Sequence, residues 1–388
     1  MKVLFSLSYY DPYLSGVSVY AKRLAEGLSD KGETVEILTA QYDKKLAKKE
    51  KIGKVLVTRV PFLWRVNKGL VMPAWLWQGY QKVRAADSVI CHLPQPESLW
   101  LLFLARLFKK KALVVYHCDV VFASSLVNKI IGKTLMAINF LCCALAQKVI
   151  NSSEDYAKHS PVLRHFLNKV VIIYPPLDKI FLRKDSGETE ADKIVLEKLK
   201  GRKDKIGYVG RVAADKGIEY LLQAIPYLGE ELKDFGLFLV GPKETVGEEK
   251  YWREINSLSQ RYLGKAVFLG KLTDEELVSF LRKLDVLVLP SVNSTEAFGM
   301  IQMEAMVSGC PVVASNLPGV RVPVKLTQMG EVVSPRNPQE ISRAIIKVIK
   351  NKNRYVKNGR RAKEIFSLEK AIDQFQSLLF PSGNKFDY

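Results

Sequence analysis

The sequence predicts an α/β protein of two Rossmann-like domains, each a parallel sheet flanked by helices, and three observations point there. At 388 residues the chain is longer than one hydrophobic core usually serves. Short apolar runs of the kind buried on both faces of a parallel sheet alternate with stretches of helical length. The alternation lapses once, over the less hydrophobic tract from Lys184 to Lys205, and restarts at Ile206. The expected layout is a first domain over 1–183, a hinge over 184–205, a second domain over 206–367, and a last helix and tail over 368–388.

Composition narrows the setting. With 48% hydrophobic and 26% charged residues there is ample material for buried sheets. The five cysteines lack the spacing of a disulfide frame or zinc site, which suits a reducing compartment. Met1-Lys2 runs straight into the apolar Val3-Leu4-Phe5, which reads as a strand rather than a signal peptide, so a cytoplasmic location is expected. Of the net charge of +19, residues 1–178 hold a surplus of 12, from 25 Lys and Arg against 13 Asp and Glu. No helix-turn-helix, ribonucleoprotein or zinc signature accompanies that charge, which argues against nucleic acid as the partner.

In the first domain, residues 3–8 read as a strand and 19–31 as a helix. Gly16 lies in the loop between them, where a missing side chain lets backbone approach a phosphate. Residues 35–39 and 55–60 are the next strands, with the charged run 44–54 as a solvated connector. Residues 59–84 interleave Trp64, Trp75, Trp77 and Tyr80 with Arg59, Arg65, Lys68, Lys82 and Arg84, a mixture suited to an anionic membrane surface. Strands at 89–92 and 113–116 flank a helix at 98–108, and the second of them delivers His117 and Asp119 at its carboxyl end, where open α/β sheets bind ligands. A long helix at 127–146 is interrupted by Lys129 and Lys133, too much so for a membrane span of ~20 apolar residues. Residues 170–174 close the sheet.

The second domain opens with a strand at 206–210. Arg211 and Lys216 occupy the turn into a helix at 218–228, and two cations so placed can grip one diphosphate, Arg by its planar fork and Lys as a point charge. Strands follow at 237–240 and 267–271, and Thr273 with Glu276 caps the next helix. Leu284 to Gly319 then reads as strand, helix and strand, the helix capped within Asn293–Thr295 and ended by Gly309. That helix is expected to carry both Glu296 and Glu304, eight residues or roughly 12 Å apart along its axis. First-turn amides near Phe298, Gly299 and Met300 would face phosphate or sugar oxygens between the two carboxylates. A short edge strand at 330–333 and helices at 338–350, 353–365 and 368–379 complete the chain.

EAFGMIQMEAMVSGCPVVAS resembles the glutamate-pair signature of retaining glycosyltransferases of GT-B fold, the large group 1 family that includes sucrose synthases and phosphatidylinositol mannosyltransferases. The resemblance is dense over 206–320 and looser over 1–178. It implies two Rossmann-like domains facing across a cleft, with a C-terminal helix crossing back to the first. It also implies that Glu296 approaches the donor sugar and Glu304 the ribose, that Arg211 and Lys216 hold the diphosphate, that Gly16 faces it from the first domain, and that backbone near Lys271 reads the base. YHCDVV is similar to mannosyl-transferring members, which places His117, with Asp119, beside the donor sugar.

The activity implied is transfer of a hexose, mannose favoured, from a nucleotide sugar to a glycan or lipid-linked acceptor with retention of configuration. No Asp-x-Asp segment stands ready to hold a divalent ion, so no metal and no cofactor beyond the nucleotide sugar is expected. Together with the basic aromatic stretch, this suggests a peripheral enzyme at the inner face of the membrane. A sugar phosphorylase-like enzyme of the same fold, or a catalytically silent membrane-binding protein, are the alternatives.

Overall fold

The computed structural model describes residues 1–66, 69–121, 126–183, 189–243 and 247–380. The chain divides into two compact units, residues 1–176 with the C-terminal segment from Ser367, and residues 177–366.

The first unit is built on ten strands: β1 Lys2–Ser6, β2 Thr34–Gln41, β3 Lys49–Ile52, β4 Val55–Pro61, β5 Trp64–Val66, β6 Gly69–Val71, β7 Ser88–Leu93, β8 Lys111–Tyr116, β9 Lys148–Asn151 and β10 Val170–Ile172. Eight of them form one sheet in the order β10-β9-β8-β7-β1-β2-β4-β3, and β5 pairs with β6 in a separate hairpin. The large sheet is parallel except at its edge, where β3 runs antiparallel to β4. That edge strand occupies part of the run expected as a connector; its residues are mostly exposed, so it carries no apolar signal. Val3, Phe5, Val35, Ile37, Ile90 and Val114 are fully buried, each contributing about 1.5–3 kcal/mol through burial.

The first helix begins at Gly16 rather than at residue 19, because Ser15 and Ser18 cap it reciprocally: the Ser18 amide donates to Ser15 Oγ at 3.1 Å and the Ser15 amide to Ser18 Oγ at 2.9 Å. The C-terminal helix Leu368–Leu379 packs on this helix, Gly16–Asp30, and joins the first unit, with Lys31 Nζ 2.9 Å from Asp373 Oδ1. The long helix, Leu126–Leu145, packs against Ser98–Leu107. Its segment Asn128–Leu145 has a mean hydropathy of 1.2 and is only 17% buried, so by length and composition it is apolar enough to cross a membrane despite its two lysines.

The second unit holds β11 Asp204–Val209, β12 Phe235–Val240, β13 Ala266–Gly270, β14 Val286–Leu289, β15 Val312–Ser315 and β16 Gly330–Val333, in one parallel sheet ordered β13-β12-β11-β14-β15-β16. Strand order reverses between β11 and β14, and ligands of such sheets bind beyond the carboxyl ends at that switch point. Several helices depart from expectation; the run expected as one helix over 353–365, for instance, is two, Lys352–Val356 and Gly359–Ile365. The tract expected as a hinge contains helix Glu190–Lys198, boxed by Thr189 and Asp192. It packs on Asp274–Lys283, where Lys198 Nζ meets Glu276 Oε1 at 2.8 Å and Ser279 Oγ donates to Asp192 Oδ1 at 2.6 Å. The hydroxyls of Ser279 and Thr189 hold the Asp192 carboxyl well below its ordinary range. Low average hydrophobicity hid this helix, since only one stripe, including Val195, is buried. The helix expected over 218–228 is two, Ile218–Gln223 and Ile225–Glu231, because Pro226 has no N–H for an unbroken ladder. Helix Glu249–Gln260 was not anticipated, although Tyr251, Ile255 and Leu258 keep helical spacing.

Candidate functional site

In the second unit, the loops that follow β11 and β14 meet at the switch point. After β11 the chain makes a 3₁₀ turn, Ala214–Lys216, and enters helix Ile218–Gln223 through Gly217, whose φ of +64° is strained for any residue with a side chain. A Cβ at Gly217 would also lie 2.3 Å from the Pro290 carbonyl oxygen just past β14. The two loops are therefore in backbone contact. The Val292 amide seals them, donating to the Asp215 carbonyl at 3.0 Å.

This contact joins the two sequence motifs. Lys216 Nζ lies 2.6 Å from Glu296 Oε2 and 3.5 Å from Asp215 Oδ2. Burial alone would lower the pKa of the Lys216 ammonium, but the charges of Glu296 and Asp215 outweigh it and the net shift is upward, so the side chain stays a cation. Arg211 is half-buried in the same loop, and its carbonyl accepts the Tyr208 hydroxyl at 2.8 Å. Asp215, which sequence reasoning passed over, is the third charge of the cluster.

The glutamates do not share a helix. Asn293 caps a tight turn instead, its Oδ1 accepting the Thr295 amide at 3.0 Å and its carbonyl the Glu296 amide at 3.3 Å. The helix starts only at Met300, behind Gly299 at φ +75°. Glu296 thus lies in the preceding loop, and the 12 Å spacing along one axis does not apply. A left-handed glycine cannot continue a helix from the 293–295 turn, and a Cβ there would strike Leu289 Cδ2 at 2.4 Å. Gln302, fully buried, holds this bend by donating to the carbonyls of Phe298 at 2.8 Å and Val320 at 3.0 Å. The Phe298 side chain belongs to the core, edge-on to Phe366 with ring centroids 6.1 Å apart, so only its backbone is available to a ligand. Met300 is half-buried in the first turn, while Glu304 is 6% exposed in the second. Lys271 is exposed immediately beyond the carboxyl end of β13.

In the first unit strand order reverses between β1 and β7. Gly16, after β1, is exposed as the first residue of its helix. His117 leaves the end of β8 and stacks on His92, the penultimate residue of β7, with ring centroids 5.2 Å apart and His92 Nδ1 2.9 Å from His117 Nε2. Tyr20 meets His117 edge-on at 5.0 Å. Burial holds both imidazoles neutral; His117 is pushed down to about 3 from an ordinary 6.5, and burial followed by the charge of His117 lowers His92.

A histidine whose pKa is depressed by folding takes up protons more readily when unfolded, so stability must fall as pH drops from 6.5 toward 3. Urea midpoints of the wild type are expected to decline over that window more steeply than those of a His92→Phe, His117→Phe double variant. Equal slopes would show that the pair does not titrate this way.

Asp119 is buried, and its carboxylate accepts hydroxyls from Tyr116 at 2.7 Å, Ser160 at 2.9 Å and Tyr156 at 2.9 Å, while the Tyr156 hydroxyl in turn accepts the Asp119 amide at 2.6 Å. This occupation by protein hydroxyls makes Asp119 a positioning residue for the loop that carries His117, rather than a group presented to a sugar.

The basic aromatic stretch is split by the fold. Trp64 and Trp77 are 57% and 63% exposed, but Trp75 is in the core at 1%. Arg59 is equally buried, paired with Glu50 and donating to the Asp11 carbonyl at 2.7 Å. Lys82 is paired with the buried Glu36, which Lys2 also contacts at 3.0 Å. Arg65 and Arg84 are exposed, and Lys68 lies outside the described residues. Among the described residues, no group of three or more His, Cys, Asp or Glu side chains is placed to hold a metal ion.

Comparison with known proteins bears on the family and the fold. The family model described as Glycosyl transferases group 1 matches residues 190–365, and that of Glycosyltransferase Family 4 matches residues 14–179. An uncharacterized glycosyltransferase of Methanocaldococcus jannaschii is 27% identical over 380 residues, covering 90% of this chain and 89% of its own. Among solved structures, sucrose-phosphate synthase from Thermosynechococcus elongatus superposes with a TM-score of 0.78 at 22% identity, covering 97% of this chain and 98% of its own. An Anabaena protein in complex with UDP does so at 0.76 and 17% identity, covering 98% and 99%. The two family matches together take in most of the sequence, and the chain belongs to the group 1 glycosyltransferases, as an enzyme of the GT-B fold.

Proposed function

We propose that this glycosyltransferase moves a hexose from a nucleotide sugar to a glycan or lipid-linked acceptor, with retention of configuration and without a metal ion. The observation that carries the reading is the 2.6 Å pair of Lys216 and Glu296 at the switch point, a cation and a carboxylate drawn together from two separate loops. In this reading Lys216 and Arg211 neutralise the leaving diphosphate, assisted by the amides of the first turn after Gly299, which face developing negative charge with the helix dipole behind them. Glu304 accepts ribose hydroxyls, Glu296 orients the donor sugar, and backbone beside Lys271 borders the donor site. His117, neutral and fixed by His92, accepts a hydrogen bond from a sugar hydroxyl. Retention follows if the leaving phosphate takes the acceptor proton on the same face.

The UDP bound by the Anabaena structure favours a uridine donor, whereas the YHCDVV segment favours mannose and hence guanosine. Thermal shift against UDP and GDP decides between them, and absence of a shift with either nucleotide would overturn the donor assignment. Glu304→Gln is expected to weaken nucleoside diphosphate binding by about 1.5–3 kcal/mol, because a charge-assisted bond becomes a neutral one. Glu296→Gln should leave that affinity nearly intact and lower turnover; calorimetric titration separates the two, and wild-type affinity in Glu304→Gln would remove its ribose role. Activity is expected to survive a chelator, and a loss restored by added metal would refute the cation clamp.

The exposed Trp64 and Trp77 beside Arg65 and Arg84 support peripheral docking at the inner, anionic face of a cytoplasmic membrane. Co-sedimentation with anionic vesicles at low salt that persists unchanged in an Arg65→Glu, Arg84→Glu variant would reject that surface.

A further inference from the structure

A cavity of about 400 Å³ lies in the first unit between the segment that follows β8 and helix Leu126–Leu145. This volume is in the range of small-molecule pockets. Its wall is largely apolar, from Val120, Ile130, Leu135, Met136 and Pro161. One polar group in its wall is out of place. Asn139 lines the cavity at 2% exposure, and its carboxamide oxygen accepts no hydrogen bond among the described residues. A buried acceptor left unmade is costly, and a ligand that offers it an O–H or N–H recovers that cost.

The mouth differs in character. Lys129 and Lys133, four residues apart on one helical face, line the cavity and are exposed, and the helix carries no acidic residue. Ile130 and Met136 belong to the same lining yet are 59% and 42% exposed, and Phe140 and Leu141 extend the apolar surface outward at 40% and 50%. Asp119 also contributes to the wall, so an anion is disfavoured there, and its oxygens are already taken by Tyr116, Ser160 and Tyr156. A phosphate therefore belongs at the lysine mouth.

We propose that this cavity binds a phosphate-bearing lipid: a hydroxyl or amide of its head donates to Asn139, its phosphate meets Lys129 and Lys133, and its chain runs over Ile130 and Met136 onto the outer face of the helix. The cavity abuts the loop that carries His117, so the lipid is the acceptor or its anchor. This part rests on the reading of a lipid-linked acceptor above; the binding itself does not.

The test is calorimetric titration of the full chain with 1-lauroyl lysophosphatidate below its micellar concentration, beside glycerol 3-phosphate, which lacks the chain, and dodecyl glycerol, which lacks the phosphate. The lysolipid is expected to bind at least about tenfold more tightly than either fragment, and at least about tenfold more weakly to Asn139→Leu and to Lys129→Glu, Lys133→Glu. Asn139→Leu removes an unmade buried acceptor, so it should fold with at least the wild-type melting temperature, and Leu135→Trp, which fills the cavity, gives a second variant. Equal binding of the lysolipid by wild type and variants, no binding by the wild type, or equally tight binding of glycerol 3-phosphate would each overturn the proposal. UDP and GDP titrations of the same variants should be unchanged, so failure here is distinguishable from failure of the donor assignment.

Discussion

Replacing Lys216 with Met is expected to lower kcat/KM for sugar transfer by about 10²–10³-fold, the loss typical when one preorganised group that faces developing charge is removed. The argument starts from the ion pair. Lys216 lies within 2.6 Å of Glu296 and 3.5 Å of Asp215, with its side chain and that of each carboxylate about 15% exposed. A methionine of similar length fills the space but leaves two carboxylates facing one another without their cation. The arriving diphosphate would meet net negative charge. Stability should suffer too, since an ion pair broken from one side leaves a partly buried carboxylate uncompensated. Lys216→Arg keeps the charge and should recover part of the activity, although the bulkier fork does not reproduce a point charge. Melting curves establish that the Met variant is folded. A folded variant with wild-type kcat/KM would exclude Lys216 from the transition state.

What could be read in advance follows from how each feature is encoded. Strands buried on both faces announce themselves as unbroken apolar runs, so Val286–Leu289, Phe235–Val240 and Lys111–Tyr116 were legible within a residue or two. Edge strand Lys49–Ile52 and helix Glu190–Lys198 were not, because each buries little and their polar residues dominate any window average. The site residues were legible as chemical types at strand ends. Their geometry was not. Asn293 can cap a helix or close a turn, and what decides for the turn is Gly299, whose left-handed backbone is fixed by packing on Leu289 and by Gln302. Asp119 shows the same limit. The carboxylate type suggested a ligand, but the hydroxyls that occupy it come from Tyr116, Tyr156 and Ser160, and two of these lie 37 and 41 residues away. The pairing of His92 with His117 was not legible, because it rests on β7 lying beside β8, which no local pattern encodes.

Gly217→Ala is expected to damage both the stability and the site of the second unit. Its cost has two sources. An alanine held at φ +64° pays the left-handed penalty of about 1–2 kcal/mol. Its methyl would also press on the Pro290 carbonyl oxygen, 2.3 Å from the ideal Cβ position, and on Val292 Cγ1 at 2.7 Å, and overpacking of that kind costs about 1–3 kcal/mol. Neither contact can yield cheaply. Pro290 is anchored by the end of β14, and the Val292 amide is tied to the Asp215 carbonyl at 3.0 Å. The loops must separate or the turn must rebuild, and either movement carries Lys216 away from Glu296. A loss of about 3 kcal/mol corresponds to roughly 6–12 °C in melting temperature for a domain of this size. The expected signature is therefore a coupled one, with lower melting temperature and weaker nucleoside diphosphate binding in the same protein, whereas Gly229→Ala, on the helix Ile225–Glu231 with nothing within 4 Å of its added methyl, should leave nucleotide binding unchanged and hold or slightly raise the melting temperature. Wild-type melting and wild-type nucleotide affinity in Gly217→Ala would mean that the two loops are not held together through this contact.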